Sequence, residues 1–505
     1  TLRQAVDWSY GLLSPTEQAL FGRLSVFAGG FDLGAAEAVV LGDPIERDDV
    51  LPVLSRLINK SLVAAEPTRP HTTRYRMLDT IREYALEKLQ LGGEAQWRQR
   101  HADYFIGWTV EATKLLGSQE QVSWLRRIDE EQPNIRVALE WTLTEQPDGA
   151  LRLAAAMGSY WWMGRHFAEG LESLTRALEL ETSNPQARAA ALAARARLSR
   201  RRGDYVTAKE DARECAEIAR QARLHHELSR ALTMLGIVAA NEGDLHAAAP
   251  FFREARQVAE EVGDVERVAS SLNNMAMIES SLGQHAEAMA HAERALTKAE
   301  LVGDRWLRAQ MLDTSGRIQL RLRNFDDAIR RYAEAIRISA EFQDTVNIAD
   351  CIEGMALIAD AHGDLPRALT LLSAVDSIRA LSGAVSVPEW IGEARETQAR
   401  VTAKLTRNVF EEARRRGAGM TTDEAIRFAL GTAETDRRDG ATRLTGREIQ
   451  VARLIAEGLT NGEVAGRLRI ADRTVDAHVE HIRNKLGLRS RTQIAVWAKE
   501  RLGTD

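Results

Sequence analysis

Only two cysteines, Cys215 and Cys351, occur in 505 residues, too few for a disulfide framework. Both fall where neighbouring helical segments carry alanine, serine or methionine, so they read as buried free thiols rather than redox or metal chemistry. Long apolar runs are also missing. None approaches the roughly 18 residues needed to span a bilayer, so no membrane partner is expected, and with no signal peptide at the start the expected compartment is a reducing cytoplasm. The phosphate-cradling pattern G-x-x-x-x-G-K-[ST] does not occur, nor does a nucleophile constellation or a metal-ligand cluster. No catalytic residue, metal site or cofactor is therefore expected in this chain, and no enzyme activity. Its opening on Thr1, within a helical pattern, suggests a fragment of a longer protein.

What is present is an ordinary globular composition, with 44% hydrophobic and 28% charged residues, over a length that exceeds one hydrophobic core. At roughly 150 residues per domain, three or four units are expected. The formal charge of −6 conceals an asymmetry: residues 441–505 hold twelve Arg or Lys against eight Asp or Glu, so this end is net +4 and the remainder −10. A basic C-terminal unit on an acidic body places any nucleic-acid contact at that end.

The middle of the chain repeats itself every forty residues. Gly203-Asp204, Gly243-Asp244, Gly283-Gln284, Arg323-Asn324 and Gly363-Asp364 mark one lattice of turns, and each is followed by a fixed alanine: Ala208, Ala248, Ala288, Ala328, Ala368. A second lattice, Gly263-Asp264, Gly303-Asp304 and Gln343-Asp344, is shifted by half a period. Each repeat is therefore two helices and two turns. Glycine ends a helix in the left-handed conformation, the following Asp caps the next, and the alanine permits close approach. A further small position recurs at Gly236, Ala276, Gly316 and Ala356. The pattern resembles the tetratricopeptide repeat in a forty-residue form over about 185–382, with a degenerate earlier copy at Arg165-His166-Phe167 and Gly170. The resemblance implies a solenoid whose concave groove takes a protein or small-molecule effector. Trp161, Trp162 and Trp306 read as core residues.

Near the N-terminus, Ser14-Pro15-Thr16-Glu17 supplies a cap, a first-turn proline and a capping-box glutamate ahead of Leu20, Leu24 and Phe27. Asp32 caps a short second helix, Val50 to Asn59 reads as a third, and Leu62–Ala65 with Tyr75–Leu78 reads as a hairpin. Three helices and a hairpin suggest a winged helix. The third helix, taken from Asp48 to Lys60, sets Asp48 and Asp49 against Arg56 and Lys60, so DNA reading is not expected there. The wording Asp7-Trp8-Ser9-Tyr10, Leu24 through Phe31 and Tyr75 through Ala85 resembles the winged helix that follows the nucleotide-binding domain of STAND-type ATPases, of NB-ARC-like ancestry. In that family a Met-His-Asp motif helps sense nucleotide. Here the stretch is Met77-Leu78-Asp79, without the histidine, and the resemblance places any ATP or ADP on a domain upstream of Thr1.

The C-terminal end carries the most specific signal. Thr445 with Glu448, Thr460 with Glu463 and Ser490 with Gln493 form capping boxes, Asp472 can cap a further helix, and Gly458 and Gly487 stand where helices stop. Leu444-Thr445, Arg447-Glu448, Gly458-Leu459-Thr460-Asn461, Glu463-Val464-Ala465, Thr474-Val475, His478-Val479, Ile482 and Lys485-Leu486-Gly487-Leu488 closely resemble the LuxR-type output domain. At about 100° per residue, Val475, Val479, Ile482 and Leu486 share one stripe and face a small core. Arg473, Ala477, Glu480 and Asn484 then point outward, flanked by Asp476 and His481. The resemblance implies that this face enters the major groove of double-stranded DNA. The expected DNA-contacting residues are Thr460, Asn461, Arg469, Arg473, Thr474, Asp476, Ala477, Glu480, His481, Arg483, Lys485 and Arg491, with Arg489 also within reach of phosphate.

The expected architecture is mostly all-α: a winged helix (1–92), a helical connector (93–149), a right-handed superhelix of tetratricopeptide-like helix pairs (150–382), a helical extension and linker (383–440), and a four-helix LuxR-type helix-turn-helix domain (441–505). The expected function is a transcriptional regulator, a dimer on DNA, whose repeats sense a partner or effector. The sequence leaves two rivals open: an interaction scaffold whose terminal domain has lost DNA binding, and an enzyme whose activity would have to come from residues upstream of this chain.

Overall fold

The computed structural model describes residues 2–69, 72–163, 166–382, 388–431, 446–468, 470, 472–486 and 490–501. It separates into two compact units, 1–419 and 420–505. The first opens with α1 (Leu2–Gly11), α2 (Pro15–Leu24), α3 (Leu33–Val40), α4 (Arg47–Asn59), a hairpin of β1 (Ala64–Arg69) and β2 (Thr72–Arg76), and α5 (Asp79–Gln90). The expected capping box is made: Glu17 N–H donates to Ser14 Oγ at 3.3 Å and Ser14 N–H to Glu17 Oε2 at 2.8 Å. Asp32 caps α3 as expected, accepting from Ala35 N–H at 2.7 Å. The hairpin differs from its expected span. Ala64 pairs with Arg76, because Leu62 and Val63 turn into the core after α4 and Met77 does so after β2; the arms are built from the residues between. Tyr75 also exchanges two backbone hydrogen bonds with Phe31, at 2.8 and 2.9 Å, a bridge the alternation pattern did not predict.

The connector is α6 (Ala95–Lys114), a 3-10 turn (Leu115–Gly117) and α7 (Gln121–Glu145). The winged helix docks on α7 through its Ala28-Gly29-Gly30 turn. Asn134 accepts from Ala28 N–H at 2.7 Å and donates to Gly30 O at 2.8 Å. Gly29 (φ 74°) lies so close to Pro133 that a Cβ would sit 2.7 Å from its ring, which is why this corner needs glycine.

Helix pairs follow: α8 (Pro147–Trp162) with α9 (Phe167–Leu178), α10 (Pro185–Arg201) with α11 (Tyr205–Ala222), α12 (His225–Asn241) with α13 (Leu245–Glu261), α14 (Val265–Ser281) with α15 (His285–Val302), α16 (Arg305–Arg321) with α17 (Phe325–Phe342), and α18 (Thr345–Ala361) with α19 (Leu365–Ser382). α20 (Pro388–Lys404) and α21 (Arg407–Ala418) close the unit. The lattice is realised residue by residue. Ala208, Ala248, Ala288, Ala328 and Ala368 are fully buried, and Asp204, Asp244, Asp264, Asp304, Asp344 and Asp364 each accept from the backbone N–H three residues on. A Cβ on Gly236 would lie 2.7 Å from the Phe252 ring and one on Gly316 2.9 Å from the Tyr332 ring, so where the recurring small position is glycine the paired helix inserts an aromatic. Where the lattice lacks glycine, Arg323 and Gln343 still take the left-handed conformation, at φ 62° and 56°, as does Arg223 at 57°; the turn geometry prevails over a local cost of roughly 1–2 kcal/mol. In the degenerate copy His166 is left-handed and Gly170 packs on Trp161, while Arg165 lies outside the described residues. Cys215 and Cys351 are buried free thiols, as expected.

The second unit holds α22 (Thr422–Ala429) and then four helices, α23 (Gly446–Ala456), α24 (Asn461–Leu468), α25 (Asp472–Leu486) and α26 (Arg491–Arg501). The linker from Gly431 to Thr442 lies outside the described residues after its first, as do Thr445 and Gly487. Among the described residues no helix is long and apolar enough to cross a membrane.

Candidate functional site

The C-terminal domain is organised around Val451, Ile455, Val464, Val475, Ile482, Ile494 and Ala498, all buried, with Leu459, Leu468, Ile470 and Val479 packed against them. α25 therefore turns Val475, Val479 and Ile482 inward, as its spacing requires. Its other side is open: Thr474, Asp476, Ala477, Glu480, His481 and Arg483 are exposed. Arg469 lies outside the described residues, as does Arg489, and the side chains of Asp472, Arg473, Asn484, Lys485 and Leu486 are likewise not described.

The two helices of the motif are tied together by polar groups that were expected to reach DNA. Asn461 Nδ2 donates to Asp476 Oδ1 at 2.7 Å, while its Oδ1 accepts from Arg491 Nε at 3.3 Å. Arg491 also donates to the Leu459 carbonyl. Asn461, Asp476 and Arg491 thus form a brace between α24, α25 and α26. Thr460 and Glu463 complete their capping box, Thr460 N–H donating to Glu463 Oε2 at 2.7 Å and Glu463 N–H to Thr460 Oγ at 3.4 Å. The Thr460 amide, and its hydroxyl 2.8 Å from the same oxygen, hold the Glu463 carboxyl below its ordinary range. Ser490 and Gln493 do the same for α26, each bond at 3.2 Å. The brace was not legible in the sequence because its members are 15 and 30 residues apart and meet only through the helix crossing.

The winged helix offers no comparable face. In and just after α4, Arg56 and Lys60 both bond the buried Glu17 carboxylate, at 3.1 and 2.9 Å, and Arg47 lies 3.7 Å from Glu37. Burial pushes that carboxyl up, and Lys60, the Ser14 amide and Arg56 more than offset it, leaving it lowered to about 2.

A second site lies on the concave side of the repeats, which the sequence did not locate. The inner helices α8, α10, α12, α14 and α16 surround a cavity of about 590 Å³. Thr113, Lys114, Leu116 and Gly117 of the connector border it too, so the 3-10 turn crosses the groove as a strap. Gln121, at the start of α7, fixes the strap: Nε2 donates to Asp304 Oδ1 at 3.0 Å and Oε1 accepts from Trp306 N–H at 3.2 Å. Burial raises Asp304 to about 6, against the Leu307 N–H bond that lowers it. Trp162 and Trp306 are buried as expected, yet they form part of the cavity wall, their rings edge to face at 6.3 Å.

The geometry defines a helical-repeat regulator with a DNA-binding head, and comparison with known proteins agrees. Residues 442–498 match the family model of bacterial regulatory proteins of the luxR family, residues 13–90 that of a winged helix-turn-helix domain, and residues 227–301 and 267–341 that of the tetratricopeptide repeat. Proteins provisionally named HTH-type transcriptional regulators in Mycobacterium bovis and Mycobacterium tuberculosis are 27% identical, over 99% of this chain and 75% of theirs. The nitrate/nitrite response regulator protein NarL of Escherichia coli is 44% identical over 76 residues, covering 15% of this chain and 33% of its own. Among solved structures, the STAND protein with a tetratricopeptide repeat sensor from Pyrococcus horikoshii aligns over 80% of this chain and 66% of its own, with a TM-score of 0.45 and 15% identity. The chain is a DNA-binding transcriptional regulator with tetratricopeptide repeats, and its output domain is of LuxR type.

Proposed function

We propose that the exposed face of α25 reads the major groove, and that an effector held by the repeats governs this reading. The observation that carries the first part is the division of one helix into a buried Val475/Ile482 side and an exposed side of Thr474, Ala477, Glu480, His481 and Arg483, the arrangement a recognition helix needs. Arg483, with Arg469, Arg473 and Lys485, supplies phosphate contacts, and so do the Thr460 hydroxyl and the amides at the start of α24. Asn461 and Arg491 act chiefly by holding the two helices in register, and Asp476 shares that task. A dimer on an inverted-repeat site gives two such helices a matched pair of grooves.

The cavity and the strap support the second part. One helix, α7, carries Gln121 at the repeats and Glu131 and Asn134 at the winged helix, about 20 Å apart at 1.5 Å per residue. A ligand that displaces the strap thereby moves a rigid element shared by two domains. Selection of bound duplexes from a random pool, followed by anisotropy titrations, tests the DNA reading. Arg483→Gln should weaken every duplex alike, whereas Ala477→Arg should change which sequence is selected; an unchanged selected sequence in the latter would exclude this face as the reader.

A further inference from the structure

The cavity wall is unevenly charged. Among the described residues it is lined by eight basic and five acidic side chains; Glu266 pairs with Arg267, Asp313 accepts from the buried Cys351 thiol at 3.5 Å, and the other three acids are engaged by stronger donors. Asp304 accepts from Gln121 and Leu307 N–H, Asp344 from Trp306 Nε1 at 2.8 Å, and Asp350 from Arg379 at 2.7 Å. At one end Arg317 and Arg321 are paired with Glu353 and Glu393. At the other end Arg197, Arg200 and Arg230 form no ion pair with a carboxylate among the described residues. Arg197 donates to Gly158 O and Ser159 Oγ, at 3.3 and 3.4 Å, and lies over the Trp162 ring at 5.0 Å. Arg200 lies over the Trp162 ring at 4.9 Å with its Nε unpartnered. Arg230 makes no hydrogen bond or ion pair among the described residues and is exposed to the lumen it lines. Arg267 has one partner, the adjacent Glu266 at 3.1 Å.

These guanidiniums weigh on one another. Burial, then the charges of Arg267 and Arg230, push Arg197 well below the usual arginine range, and Arg267 followed by burial lowers Arg230. Arginine does not give up its proton in a protein, so the depression expresses burial and mutual repulsion that the nearby Glu266, Glu227 and Asp264 carboxylates offset only in part. Beside this cluster the wall is apolar and adaptable: Met234, Ile237, Met277, Leu307 and Met311. A volume of about 590 Å³ falls within the range of small-molecule sites. The strap across the groove disfavours an extended peptide, which needs an open trough.

We propose that this cavity binds a small organic anion, a phosphorylated or carboxylated metabolite, with its charged group on Arg197, Arg230 and Arg267 and its body along Met234, Ile237 and Met277. This rests on the effector reading above and gives that effector a chemical class. A planar fork of donors suits phosphate and carboxylate oxygens alike. The bound anion adds counter-charge to the little that Glu266 supplies beside the cluster.

Calorimetric titration of the full chain tests it, with pyrophosphate as the phosphoryl probe, citrate as the carboxylate probe and chloride at matched ionic strength as the blank. Saturable binding is expected for at least one probe, weakened at least tenfold by Arg230→Gln and by Arg197→Gln, and unchanged by Arg220→Gln, whose side chain pairs with Glu254 on the surface. Without anion, Arg230→Gln should melt no lower than the parent, since it removes repulsion; an arginine with a structural role would lower the melting point instead. Silence from both probes, undiminished binding in Arg230→Gln, or tighter binding of hexaglutamate than of citrate would each overturn the small-anion proposal. The effector reading fails separately. Anion binding that disappears in Arg230→Gln yet leaves DNA affinity unaltered keeps the site and removes its regulatory role, and a neutral metabolite that alters DNA affinity while both anions are silent does the reverse.

Discussion

Gln121 and Asp304 stand 183 residues apart in the chain and meet through a buried hydrogen bond of 3.0 Å. The same glutamine accepts the Trp306 N–H, so it satisfies two largely buried groups at the cavity wall. Gln121→Ala should cost about 1–3 kcal/mol, the usual penalty for orphaning buried polar groups. Hydrogen exchange should show faster opening of residues 113–121 together with the start of α16. A melting point and exchange pattern equal to the parent's would mean that the strap is not held there.

The fixed alanines make a second prediction. Ala288 and Ala328 are fully buried, with neighbouring helices packed directly on them, so Ala288→Leu or Ala328→Leu should destabilise by about 1–3 kcal/mol through overpacking. Substitution of exposed Arg220 should shift stability far less. Denaturant melts showing no loss in either variant would mean that these positions do not mark the close approach of helices.

A third concerns pH. His101 is buried against Phe27 and Phe105, with its Nε2 3.3 Å from Asn134 Oδ1. Burial lowers its pKa from 6.5 to about 4, with the Asn134 bond opposing. A depressed histidine stabilises the fold in its neutral form, so its contribution is complete above pH 6.5 and is lost as pH falls through about 4; a shift of this size corresponds to about 3 kcal/mol. His101→Gln should flatten the stability profile across that window. Parallel profiles for variant and parent between pH 6.5 and 4 would assign the acid sensitivity elsewhere.

How much of this could be read beforehand follows from the range of the interactions involved. The caps at Ser14, Asp204 and Thr460, the alanine lattice and the inward stripe of α25 are local, so spacing along the chain reveals them. The Arg197, Arg230 and Arg267 cluster is not local. Each arginine, taken on its own helix, looks like an ordinary solvated residue, and only the stacking of three successive inner helices turns them toward one lumen. The strap escaped for the same reason. The hairpin register slipped because Leu62, Val63 and Met77 are apolar for the core, not for a strand face. Arg223, Arg323 and Gln343 show the converse, a lattice strong enough to impose the left-handed turn without glycine.

Asp476 and Glu480 carry the fourth prediction, since the face expected to meet phosphate presents two carboxylates. Asp476 is held by Asn461, while Glu480 is exposed and available to a cytosine amino group. Replacing both with lysine should tighten non-specific binding and steepen the salt slope by roughly one to two units, and preference for the selected site should fall. Competition titrations decide it: stronger binding with site preference intact would deny these acids any part in sequence reading.

The most direct test of the account is the salt dependence of DNA binding by the full chain. Anisotropy titrations against a random-sequence duplex pool should give an affinity that falls linearly in log–log form as salt rises, because each phosphate contact releases counterions. Arg483→Gln should lower that slope by about one, with the helical signal unchanged. A folded chain whose binding to the pool is absent, or indifferent to salt, would contradict the assignment of the C-terminal domain as a DNA reader and leave the repeats as the head of a different kind of protein.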